Sequence, residues 1–128
     1  MLRLTVAAAL LLVTGCGPAP TAPAEITGQL YAAIAHRDAA AACASLAAAT
    51  RSALEHEEQA PCQDAILEQG VPNASGTATA KVYGSMAQVA YTNETVFLSR
   101  YSDGWRVTAA GCTPMGHDRP YECALTAN

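Results

Sequence analysis

The apolar residues of this chain change their spacing once, near residue 77, and that change limits the folds open to it. Before it the spacing is helical. Ile26, Leu30, Ala33 and Ile34 fall on one helix face that ends near His36-Arg37-Asp38. An alanine-rich stretch from Ala39 to Ala49 follows, with Cys43, Leu46 and Ala47 on one stripe. Alanine is the best helix former but buries little area, so this helix depends on its cysteine. Short helices are expected around Ser52–Glu55 and Gln63–Glu68, and Gly70, Pro72, Asn73 and Gly76 close the helical half. Beyond residue 77 the period is two. Ala78, Ala80 and Val82 share one face, as do Ala87, Val89 and Tyr91, then Val96 and Leu98, then Trp105, Val107 and Ala109. Gly84-Ser85, Asn93-Glu94 and Asp103-Gly104 are the expected hairpin turns, and Tyr121–Leu125 is a last strand beside the Trp105 strand. Helices followed by a meander with one apolar face make an α+β domain: N-terminal helices on a curved antiparallel sheet of four to five strands.

The N-terminus speaks of location. Arg3 precedes a ten-residue run, Leu4 to Val13, of signal-peptide length and too short for a bilayer-spanning helix of about 20 residues. At its end, Val13-Thr14-Gly15-Cys16 resembles the bacterial lipobox. The resemblance implies that residues 1–15 are a signal peptide and that Cys16 becomes the diacylglycerol-modified first residue of an extracytoplasmic, membrane-anchored protein. Two acyl chains give stable attachment at about 0.8 kcal/mol per buried CH₂. Residues 16–24 then read as the lipidated cysteine and a proline-rich tether, able to lift the domain of residues 25–128 roughly 25 Å from the lipid.

Of seven Lys+Arg, Arg3 belongs to the signal peptide, leaving six against eleven Asp+Glu. An acidic domain is a poor partner for nucleic acid, which needs clustered cations. With Cys16 assigned to lipid, Cys43, Cys62, Cys112 and Cys123 form an even set, which in an exported chain implies two disulfides. Four cysteines allow three pairings that sequence alone does not separate. Cys43–Cys62 with Cys112–Cys123 is favoured because each pair brackets one supersecondary unit. No C-x₂₋₄-C spacing supports a metal, and no cofactor motif is present.

The order of elements over residues 25–125 resembles the nuclear-transport-factor-2-like superfamily, with a cystatin-like sheet as the alternative. The stretch Asp103-Gly104-Trp105-Arg106-Val107-Thr108-Ala109-Ala110-Gly111-Cys112, with Tyr121-Glu122-Cys123 behind it, looks like the end of small actinobacterial lipoproteins and carries no activity with it. The superfamily resemblance implies an apolar pocket between helix and sheet, for which Tyr31, Tyr91 and Trp105 are the candidate lining residues. No acid is expected on the inward strand face, so the expected function is non-catalytic binding of a small apolar ligand or an envelope partner protein. The alternative is a small hydrolase or isomerase using His36 or His117, which requires a carboxylate beside the histidine at a pocket mouth. A His36–Asp38 dyad is disfavoured because residues i and i+2 do not face each other on a helix. His56, among Glu55, Glu57 and Glu58, lacks the two-ligand spacing of a metal site and reads as a solvated turn. Asn73-Ala74-Ser75 and Asn93-Glu94-Thr95 match glycosylation sequons that carry no meaning in a bacterial lipoprotein.

Overall fold

A computed structural model describes residues 22–118 and 120–127. The segment expected to be a signal peptide, Cys16 and most of the expected tether lie outside the described residues, as does Arg119. Helix α1 (Pro23–Ala35) opens with Pro23 at its first turn, where the missing N–H costs nothing. The helix thus begins two residues before Glu25, inside the segment expected to be tether. It ends at His36, and Arg37 turns the chain in the left-handed region at φ 55°. Asp38 then caps α2 (Ala39–Ala44) by accepting the Ala41 N–H at 3.1 Å.

The alanine-rich run does not continue as one helix. It breaks at Ser45–Ala47 and resumes as α3 (Ala48–Glu58). The cause is a competing backbone partner. Val107 donates its N–H to the Ser45 carbonyl at 2.9 Å, and the Ala47 N–H reaches the Val107 carbonyl at 2.8 Å. These bonds dock Leu46 on the sheet as a single parallel bridge, and Leu46 is buried there. Alanine propensity is worth only tenths of a kcal/mol per residue, too little to outweigh two backbone bonds and a buried leucine. A short α4 (Cys62–Ala65) and a 3₁₀ turn (Ile66–Glu68) complete the helical half.

The sheet is a five-stranded antiparallel meander: β1 (Thr79–Tyr83), β2 (Met86–Ala90), β3 (Thr95–Tyr101), β4 (Gly104–Thr113) and β5 (Glu122–Thr126). Gly84-Ser85 makes the first turn as expected, while the third is Ser102-Asp103, because Gly104 already pairs with Tyr101. Register shifts between β3 and β4 place extra residues on β4 around Thr108 and Ala110. Bulges of this kind bend a strand, which is how β4 brings Val107, Ala109 and Ala110 all into buried positions. Gly111 lies in the same irregular stretch at φ 65°, and a Cβ there would stand 2.9 Å from the Ala124 Cβ. A Gly111→Ala variant is therefore expected to lose about 2 kcal/mol of stability; denaturant titration measures it, and an unchanged midpoint would show that the bulge tolerates a side chain.

Leu30, Ile66, Val89, Val96, Leu98 and Val107 are fully buried between helices and sheet. The inward face is less complete than its alternation implies. Val82 lies opposite Ala87, and Ala80 opposite Val89, so both share the inner face. Yet both are exposed, Val82 at 53%, on the strand at the edge of the sheet. The disulfides pair Cys43 with Cys62 and Cys112 with Cys123. The first ties α2 to α4, and the second crosses from β4 to β5. Two bonds of this kind indicate an oxidising compartment. Among the described residues, no helix is long and apolar enough to cross a membrane.

Candidate functional site

Two clefts adjoin on the helical side of the molecule. The first, of about 570 Å³, runs between α1 and α2. Ile26, Ala32, Ala33, Ala41 and Ala44 give it an apolar lining, and Gln29, His36, Asp38, Ser45 and Arg106 supply polar groups. The sequence explains its shape. The tight exit at Arg37 folds α2 back along α1, and alanines facing each other leave space that larger side chains would fill. The second cleft, of about 730 Å³, lies between the start of α3 and the β3–β4 turn and is more polar, with Arg51, Ser52, Tyr101, Ser102 and Asp103 on its walls. Ala44 and Arg106 line both.

Arg106 is held in place at this junction. Its Nη1 donates to the Trp105 carbonyl at 2.8 Å, and its Nη2 to Asp103 Oδ2 at 3.0 Å. Arg51, on α3, donates through Nη2 to the Cys43 carbonyl at 2.8 Å.

His36 and Asp38 do line one cleft, but they do not form a dyad. The Asp38 carboxylate caps α2, and among the described residues no histidine is paired with a carboxylate. His117 is exposed in the loop after β4. His56 is exposed on α3, and among the described residues no group of three or more His, Cys, Asp or Glu gathers as metal ligands. Tyr31 and Tyr91 meet edge to face, with ring centroids 5.4 Å apart, and Trp105 is buried beneath the Arg100 guanidinium at 5.4 Å. None of these three aromatics lines either cleft.

One ionisable group escapes the sequence pattern. Glu94 occupies the β2–β3 turn, where a carboxylate is expected to face water, yet it is only 3% exposed and, among the described residues, no group meets full hydrogen-bond geometry with either oxygen. Burial pushes its pKa up to about 7, and the nearby Gly111 N–H draws it only partly back. The turn itself explains the burial. Asn93 Oδ1 accepts from the Ser75 N–H at 2.9 Å and the Ser75 hydroxyl at 3.0 Å, and its Nδ2 donates to the Asn73 carbonyl at 2.9 Å. The Thr92 N–H reaches the Ser75 carbonyl at 2.9 Å. Both sequon asparagines thus belong to one staple between the helix-to-sheet linker and the turn. With Asn93 facing outward, Glu94 faces in. On α1, the buried Tyr31 hydroxyl also lacks a partner, and burial raises the pKa of its neighbour Tyr91. Spacing cannot reveal a buried acid in a turn, since the signal is a tertiary staple between residues far apart in sequence.

Comparison of the chain with protein-family models, curated proteins and solved structures gives no match.

Proposed function

We propose that this protein is a lipid-anchored extracytoplasmic envelope protein whose domain holds a small apolar ligand, without catalysis, in the cleft between α1 and α2. The observation that carries the proposal is the cleft itself. At about 570 Å³ with an alanine and isoleucine lining, it has the size and chemistry of a small-molecule site. The aromatic candidates Tyr31, Tyr91 and Trp105 are not among its lining residues. Among the described residues its histidine has no carboxylate partner, which favours binding over acid–base chemistry. The lipobox at Cys16 and the oxidising compartment indicated by two disulfides support the location. Helices followed by an antiparallel meander are compatible with a domain of the nuclear-transport-factor-2-like kind, with a cystatin-like sheet as the alternative, and the resemblance of Asp103–Cys112 to the end of small actinobacterial lipoproteins is the ground for that source.

Ala44 is exposed on α2 and shared by both clefts, so Ala44→Trp fills the site without touching the core. The variant is expected to weaken 1-octanol binding at least about tenfold while shifting the melting temperature by no more than about 3 °C. Calorimetric titration checks this, and undiminished binding would place the ligand elsewhere. Mass spectrometry of the processed N-terminus tests the anchor: an unmodified Cys16 would remove it.

A further inference from the structure

We infer that the ligand is an amphiphilic anion, with its apolar chain between α1 and α2 and its carboxylate, sulfate or phosphate-ester head on Arg106. The inference rests on the proposed function and adds the charge of the ligand. Arg106 stands where the apolar cleft opens into the polar one. Its guanidinium is oriented from two sides, by the Trp105 carbonyl and by Asp103. A guanidinium carries five N–H donors, and these two bonds leave three for a ligand.

The two carboxylates at the site do not cancel this preference. Asp38 is turned onto the Ala41 N–H. Asp103 is mostly in water, with 66% of its side chain exposed against 27% for Arg106, so its pairing is screened and readily exchanged. A head group leaving the apolar cleft meets the arginine first. Beyond it, on the polar walls, the Ser52 and Ser102 hydroxyls and Arg51 offer further donors. Arg51 is oriented by its bond to the Cys43 carbonyl, next to the disulfide. An apolar chain followed by fixed donors is the complement of an amphiphile with one anionic end.

The test compares octyl sulfate, well below its micelle concentration, with neutral 1-octanol. Both are titrated calorimetrically into the full chain carrying Cys16→Ser, so that no covalent lipid competes. Octyl sulfate is expected to bind about tenfold more tightly than octanol, the gain of one charge-assisted hydrogen bond. In Arg106→Gln the ratio of the two affinities should fall close to one, and in Arg51→Gln it should fall part of the way. The salt dependence of the parent chain gives a second measure that needs no variant: raising NaCl should weaken octyl sulfate and spare octanol. Equal binding of the two probes, or a preference that survives both Arg106→Gln and high salt, overturns the anionic head and leaves the apolar site standing. Failure of both probes to bind overturns the proposed function as well.

Discussion

Replacing Glu94 with Gln is expected to stabilise the protein by about 2 kcal/mol at pH 8 and to change it little at pH 4. The carboxyl is buried with no full hydrogen bond to either oxygen among the described residues, and its pKa rises from the ordinary 4.5 to about 7. A carboxyl whose folded pKa lies above its unfolded one favours the unfolded chain once that chain ionises. The penalty is therefore absent below pH 4.5, grows as pH rises towards 7, and is complete above it. At 1.36 kcal/mol per pH unit the gap amounts to about 3 kcal/mol, and the glutamine amide gives part of this back because it too lacks partners. Urea denaturation of both proteins from pH 4 to 8 measures the difference. Parallel stability curves across that range would mean that Glu94 is solvated or paired in the native protein.

Breaking the Cys43–Cys62 bond, as Cys43→Ala/Cys62→Ala, should cost about 3 kcal/mol, as the chain-entropy model gives for a loop of this length. For a domain of this size that lowers the melting temperature by about 10–20 °C. The consequence is concentrated where the bond sits. Helix α2 has six residues, five of them alanine, and only Ala42 and Cys43 are buried, so little apolar area replaces the lost crosslink. Cys112→Ala/Cys123→Ala should cost less. Those cysteines pair directly across β4 and β5, where ladder bonds hold the strands together without the disulfide. Thermal unfolding of the two double variants decides the order, and a Cys43→Ala/Cys62→Ala protein melting within 2 °C of the parent would show that the helical half holds itself.

Local patterns made the α+β order, the strand periods and the favoured cysteine pairing legible in the sequence. The alternation of Ala87/Val89 and Val96/Leu98 matches their burial because these residues join the core shared with the helices. Ala80 and Val82 follow the same alternation on the edge strand, where both stay exposed, and alternation reports which face a residue takes, not whether that face is covered. The break at Ser45–Ala47 depends on Val107, some sixty residues away, and helix propensity carries no record of such a partner. The cleft was hidden for a related reason. Alanines at Ala32, Ala41 and Ala44 read as ordinary helix formers, and only the packing of α2 against α1 makes their small size a space. Arg106 and Glu94 carry no sequence signal because their surroundings, a junction of clefts and a stapled turn, come from residues distant in sequence.

Occupancy of the cleft between α1 and α2 by an apolar ligand underlies both the proposed function and the anionic head group. Amide chemical-shift mapping of the full Cys16→Ser chain titrated with 1-octanol tests it most directly. The predicted result is a saturable set of shifts centred on Ile26, Ala32, Ala33, Ala41 and Ala44. Shifts that fail to saturate, or that centre on Tyr31, Tyr91 and Glu94 instead, would contradict it.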